Sequence, residues 1–351
     1  MFENPSRNKK ENPMPHMRDF AKLAVVAGVL AFQGNPVHAE VKTPEQKVES
    51  VFKGFGITSF NDPAVVDAYN VEVPSDSDKY IFQIDQIHAG VGVSDTDSIK
   101  ETIDTHKNIE KIINQTLSAN PNAAICGESI HNIDEKLAEW DEEKRDIQKL
   151  SELTERFVQS GEYKNAYEEY EKWNEFFTKY SFPGYAQKMR LYGAVAISRQ
   201  LPQSPEAEVV KKLMETVNQF GEDALYYGGA LQYMYKIGKL NKAQFFNCEN
   251  AQAFSNVGSA LEKLRATSSN GEVEDMTEVN KLMEIREDFM LKNIDRKLAD
   301  DNTKLVVMVM GAYHDLTNNI QSLNDSGKDI GYMYVTPHPL GSIDLSINQT
   351  E

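Results

Sequence analysis

The chain has 351 residues, 40% of them apolar and 26% charged, with a mean hydropathy of −0.52. That is too apolar for a disordered chain and too polar for a multi-span membrane protein. Its 37 Lys+Arg against 54 Asp+Glu give a net charge of −17 and a pI near 4.9, which argues against duplex nucleic-acid binding by counterion release and against anionic lipid surfaces. Two cysteines, Cys126 and Cys248, are too few for a disulfide framework and too far apart for a close-spaced zinc motif.

The first 39 residues read as a separate object. Arg7, Lys9, Lys10 and Arg18 precede the apolar run Leu23 to Phe32, and Pro36-Val37-His38-Ala39 follows it, the order of a secretory signal with a small-residue cleavage site. The run is shorter than the roughly 20 residues that span a bilayer. The expectation is an exported protein, periplasmic or secreted, with an uncleaved membrane anchor or a buried first helix as the other readings. The segment carries five Lys/Arg and three Asp/Glu, so cleavage would take the net charge from −17 to −19.

After a polar lead-in, Glu40 to Ser50, the chain alternates short apolar runs with helical patterns. Tyr80 to Ile87 (YIFQIDQI) predicts a strand. Ile103, Ile109, Ile112, Ile113 and Leu117 predict a helix stopped by Asn120-Pro121, and Ala123 to Cys126 a short buried strand. Such a β-α-β order belongs to parallel sheets. Residues 132–239 read as a helical insertion or cap, with a charge run at Asp134 to Asp146, an aromatic stripe through Tyr167, Tyr170, Trp173, Phe177 and Tyr180, and a Tyr226-Tyr227-Gly228-Gly229 stretch that would pack helices closely or line a cleft. Strand character resumes at Gln244 to Cys248, followed by a helix over Ala253 to Arg265, a linker over Thr267 to Asp275 and a helix over Thr277 to Ala299. The run Leu305 to Met310 (LVVMVM) is the strongest buried-strand signal, and a helix over Asp315 to Ser322 and a strand over Gly331 to Thr336 complete the pattern.

These elements predict an α/β fold with some α+β character. A central, mostly parallel sheet is formed by the two halves of the chain, 40–131 and 240–345, around the insertion at 132–239, with a leader at 1–39 and a tail at 346–351.

Each predicted strand is followed by a residue capable of chemistry: His88, Glu128, Glu249, His314 and His338. Strands of a parallel sheet share one carboxyl edge, where open α/β sheets bind ligands. Histidines and carboxylates converging there form the inventory of a divalent-metal site, with Mn, Co or Zn suited to imidazole and carboxylate. Polar loop residues after strands are the ordinary alternative. Asp85 alternates with Gln83 and is either a further carboxylate or an outward strand residue. Arg286 lies in a helix among Met283, Ile285, Phe289 and Met290, either facing inward to hold a carboxylate or oxyanion or pairing at the surface. If the strands ending at Cys126 and Cys248 are neighbours, an exported protein could oxidise the pair to one disulfide; buried free thiols are the alternative.

The ordered set IDQIHAG, AAICGES, a helical middle, REDFML and VVMVMGAYH resembles the TraB/GumN/Tiki-like superfamily, which lies close to erythromycin-esterase and haem-binding ChaN-like folds. Tiki-type members are metal-dependent proteases built on two Gly-x-x-His motifs and a glutamate. The resemblance implies His88 and His314 as metal ligands, Glu128 as ligand or general base and Arg286 as a helper; Glu249, His338 and Asp85 are further candidates from their positions in or after the strands. The Gly311-Ala312-Tyr313-His314 motif fits. The first motif is Asp85-Gln86-Ile87-His88, with Asp in place of Gly, and Glu287 follows Arg286 where the family has Asn. The function expected is an exported, metal-dependent hydrolase acting on a peptide or small molecule. The other reading is a non-catalytic exported protein of the same fold that binds haem, a small ligand or a peptide. No nucleic-acid partner is expected, and a membrane is contacted only through an uncleaved leader.

Overall fold

The computed structural model describes residues 44–73, 77–86, 96–128, 130–160, 175, 229–267, 276–311, 314 and 316–339. In chain order the elements are α1 (Pro44–Gly54), β1 (Val66–Val73), β2 (Tyr80–Gln86), α2 (Thr96–Ala119), β3 (Ala124–Gly127), α3 (Ile133–Ser160), α4 (Ala230–Lys236), α5 (Ala251–Thr267), α6 (Thr277–Leu298), β4 (Leu305–Gly311), α7 (Thr317–Asp325) and β5 (Gly331–Pro337). The five strands form one sheet in the order β1-β5-β2-β4-β3. Strands β5, β2, β4 and β3 run parallel, and β1 lies antiparallel along β5 at the edge. The fold is therefore α/β with a mostly parallel sheet, as the alternating pattern predicts.

Alternation along the strands sorts two cores. Phe82, Ile84, Ile125, Val307, Val309, Met333 and Val335 face one way and pack under Phe52 of α1, Ile109 and Ile112 of α2, Trp140 of α3 and Met234 of α4. Ile81, Ala124, Cys126, Val306, Met308, Met310 and Tyr332 face the other way, under Met290, Leu291, Ile294 and Leu298 of α6 and Ile320 of α7. Because β4 is covered on both faces, all seven of its residues are buried, which explains its uninterrupted apolar sequence.

The second core is not wholly apolar. Gln83, Asp85 and Thr336 stand on the α6 side and bond to one another across β2 and β5. The Gln83 amide donates to Asp85 Oδ1 (2.9 Å), Thr336 Oγ1 donates to Asp85 Oδ2 (2.8 Å), and the Tyr332 hydroxyl donates to Gln83 Oε1 (2.8 Å). Each of these groups is buried, so the mutual bonds offset a desolvation cost of about 1–3 kcal/mol per group. Asp85 is thus an inward residue, not an outward one.

Three sequence expectations are corrected. The lead-in to Ser50 is helical from Pro44, because Val51 and Phe52 supply an apolar face that a polar average over Glu40 to Ser50 hides. β1 went unpredicted: it is an edge strand, Tyr69 is exposed, and the sequence VDAYNVEV lacks the apolar run of a central strand. Gln244 to Cys248 is not a strand. Lys242–Gln244 forms a 3-10 turn capped by the Asn241 side chain, and only Phe245 bridges the sheet, against Ile125. A polar cap residue followed by Gln at the third position closes the turn before pairing can extend.

The ends of the helical insertion, α3 and α4, are described, and residues 161–174 and 176–228, including the Tyr167 to Tyr180 stripe and Tyr226-Tyr227-Gly228, lie outside the described residues, as do the leader and the predicted linker at 268–275. Lys236 of α4 is buried against Glu143 of α3 (2.9 Å), and Lys239 pairs with Glu110 of α2, which fixes α4 over the first core. Burial pushes the Lys236 amine below its ordinary range despite the Glu143 carboxylate. Among the described residues no helix is long and apolar enough to cross a membrane.

Candidate functional site

Parallel register brings Gln86, Gly127 and Gly311 to a common edge: Gln86 pairs with Gly311, and Gly127 with Val309. Glu128 is the next residue after β3. Its amide donates to Val309 O (3.0 Å), so it continues the ladder by one step, on the α6 face by alternation with Cys126. Its carboxylate then meets Gly311, whose backbone N–H donates to Oε2 (2.9 Å).

Arg286 and Glu287 reach the same place from α6. The buried stripe of that helix runs Leu298, Ile294, Leu291 and Met290, and its helical period carries on to Glu287 and Arg286. Two charged residues therefore occupy core positions, 3% and 8% exposed, while Ile285 and Phe289 face outward. Arg286 is inward as one reading held, but among its apolar neighbours Met290 shares its buried face and Ile285 and Phe289 do not. Arg286 Nη2 donates to Glu128 Oε1 (3.0 Å) and to Glu249 Oε1, and its guanidinium carbon lies 4.9 Å from the centroid of Phe254 on α5. Burial opposes the charge on Arg286, and the Glu249 and Glu128 carboxylates outweigh it, holding the guanidinium above its already high range.

Glu249 arrives from the segment after the 3-10 turn. Phe246 N donates to Ile125 O (3.1 Å), the Asn247 side chain accepts from Ile133 N (2.9 Å), and Asn293 donates to Cys248 O (2.9 Å). This short stretch runs beside β3 and delivers Glu249 to the guanidinium although it is not a strand.

His314 follows β4 through a turn in which its amide donates to Gly311 O (3.1 Å). Gln83 fixes it from below, donating from its amide to His314 O (2.9 Å). The imidazole is buried between two carboxylates, with Nδ1 2.8 Å from Glu287 Oε1 and Nε2 3.4 Å from Glu128 Oε1. Burial disfavours the charged ring, but the Glu128 and Glu287 carboxylates outweigh it and raise the pKa to about 9. Three carboxyl groups thus surround one guanidinium and one imidazole.

The structure brings together Glu128, Glu249, Arg286 and His314 from the expected set. Asp85 is linked to His314 through Gln83, whose amide donates to both. His338 does not join: it is half-buried at the β1 end of the sheet, its ring pairs with Asp67 Oδ1 (2.9 Å), and its carbonyl accepts from Asn108 (2.8 Å). Register explains the outcome, since β5 lies between β1 and β2, two strands from β4 and three from β3. His88 lies outside the described residues. Glu287 and Phe254 were missed. Counting back from Leu298 by four, three and four residues would have reached Glu287; Phe254 carries no comparable signal in the sequence.

A divalent ion, which the motif resemblance implies, is compatible with the centre. Two ligand atoms on a tetrahedral ion with bonds of about 2.0–2.2 Å stand roughly 3.4 Å apart, the spacing found between His314 Nε2 and Glu128 Oε1. Glu287 on Nδ1 supplies the outer carboxylate that metal-binding histidines commonly have. Among the described residues no group of three metal-type donors encloses an ion. No family model, curated protein or solved structure matches the chain.

Proposed function

We propose that the chain is an exported hydrolase that activates water beside the His314–Glu128 pair at the carboxyl edge of its sheet, acting on a peptide or small-molecule substrate. The observation that carries this reading is the buried, hydrogen-bonded succession Glu287–His314–Glu128–Arg286–Glu249, assembled from four separate parts of the chain at the sheet edge where α/β folds bind ligands.

Each residue has a distinct part. Glu287 orients the imidazole through Nδ1 and leaves Nε2 facing Glu128. Glu128 is the base that receives the proton of the attacking water; Arg286 and the Gly311 N–H hold its two oxygens and so fix its direction. Arg286 also places positive charge beside the carbon under attack, where a carbonyl becomes an oxyanion. Glu249 balances that charge in the ground state. A divalent ion, when bound, would be held by His314 and Glu128 with His88 as the further expected ligand, and it supplies Lewis acidity and a lowered water pKa.

Calorimetric titration of the full chain with Mn²⁺, Co²⁺ and Zn²⁺ tests the ligand assignment. One ion per chain is expected, with affinity falling at least tenfold in His314→Ala and in Glu128→Gln. Absence of binding to the wild type, or unchanged affinity in both variants, would remove the ion from the proposal.

A further inference from the structure

Two buried nucleophiles stand beside this centre without a part in it. Cys126 is the third residue of β3, two residues before Glu128, and Cys248 directly precedes Glu249; both are 0% exposed and belong to one core cluster. The bridge from Ile125 to Phe245 and the bond from Phe246 N to Ile125 O lay the two segments side by side in parallel. Cys248 Sγ lies 4.0 Å from the carbonyl O of Gly127, the residue after Cys126, and both cysteines are buried free thiols in this structure.

We propose that Cys126 and Cys248 are joined in a disulfide as the chain folds in an oxidising compartment, stapling the segment that carries Glu249 to the strand that carries Glu128. The two thiols give up two protons and two electrons and form one S–S bond; a disulfide oxidant, oxidised glutathione or a protein dithiol–disulfide carrier, accepts the electrons and leaves as two thiols. Closure belongs to folding. In the folded chain both sulfurs are sealed from solvent, and burial, then the neighbouring Cys248, pushes the Cys126 thiol well above its ordinary range, so an external oxidant does not reach the reduced native pair.

The bond encloses a loop of roughly 120 residues that contains the whole of α3 and α4, and long loops give the largest loss of unfolded-state entropy. It also has a local effect. Without it Glu249 is positioned by the Phe246, Asn247 and Asn293 hydrogen bonds and by Arg286 itself; with it the carboxylate is anchored covalently one residue away. The inference rests on the proposed export of the chain and is independent of what the centre hydrolyses.

The test is to refold the full chain in a glutathione redox buffer and, separately, in excess reductant, then to denature each sample, alkylate it and measure its intact mass. The oxidised sample is expected to carry no alkylated cysteine and to be lighter by about 2 Da before alkylation, and to melt roughly 5 °C or more above the reduced one. Cys248→Ala, refolded under the same oxidising conditions, is expected to leave Cys126 open to alkylation and to melt with the reduced wild type. Two alkylated cysteines, glutathione adducts or disulfide-linked dimers in the oxidised wild type would overturn the proposal, as would equal melting of the oxidised and reduced forms.

Discussion

Replacing Arg286 by methionine is expected to destabilise the chain by about 3–5 kcal/mol at pH 8, the range measured when one partner of a buried ion group is removed. The reason lies in what stays behind. Glu249 has a fully buried side chain, Glu128 is 12% exposed, and both direct an oxygen at Arg286 Nη2. Methionine fills the volume beside Phe254 but offers neither carboxylate a donor, so Glu249 and Glu128 both lose the guanidinium charge in a low-dielectric region. They escape the penalty by taking up protons, and the loss should therefore shrink as the pH falls toward 5. Urea unfolding of wild type and variant at the two pH values measures both quantities. A difference under 1 kcal/mol at pH 8, or one that grows on acidification, would contradict the picture of Arg286 as the counter-charge of the centre. Replacing Arg286, Glu128 and Glu249 together with apolar residues should cost less than Arg286→Met alone, because no orphaned charge is left.

The second large effect is a dependence of stability on pH. In the folded chain the His314 ring holds its proton to about pH 9, against 6.5 in the unfolded chain. A raised folded pKa means that the stabilisation is complete below pH 6.5 and disappears as the pH rises through 9. The shift corresponds to about 3 kcal/mol, and a chelator-treated sample should lose stability of that order between pH 6.5 and 9. His314→Gln should remove this slope, and Glu287→Gln should reduce it, since Glu287 is the closer of the two carboxylates. Subtracting the His314→Gln curve from the wild-type curve isolates the residue from all other titrating groups. A wild-type curve parallel to that of His314→Gln across this window would show that the ring carries no extra proton in the folded state.

The interior of the fold was legible in the sequence and its margins were not. Leu305 to Gly311 is apolar throughout because both faces of β4 are covered. The β2 and β5 strands and the α6 helix announced themselves in the same way, through period and through β-branched and aromatic residues. β1 was invisible because an edge strand need bury only part of its surface, and VDAYNVEV reads as a polar loop. Gln244 to Cys248 misled for the opposite reason: two phenylalanines looked like strand, yet Phe245 fills space beside Ile125 and Trp140 while Phe246 packs on the α6-side core.

The candidate site divides along the same line. Glu128 and His314 could be named because each follows a readable strand, and the carboxyl edge of a parallel sheet is a place the topology predicts. His338 had the same local signature and failed, since strand order, which no local pattern encodes, puts β5 two strands from β4. Glu249 was named through a strand that does not exist and still reaches Arg286, because the Phe246, Asn247 and Asn293 hydrogen bonds lay its segment along β3. Glu287 was passed over as ordinary helix polarity. Only the packing of α6 on the sheet shows that a charged residue one position from Arg286 also faces the core.

The claim that joins these observations is that Glu128, oriented by Arg286 and Gly311, activates water for hydrolysis next to His314. Its most direct test is to incubate the full chain with a peptide mixture of defined composition, with and without added Mn²⁺, Co²⁺ or Zn²⁺, and to follow cleavage by mass spectrometry beside the Glu128→Gln variant. Glu128→Gln keeps the shape of the side chain and removes the base. Cleavage by the wild type with a rate at least about 100-fold above that of the variant is the predicted result; cleavage at equal rates by both proteins, or by neither under any of the ions, would contradict it.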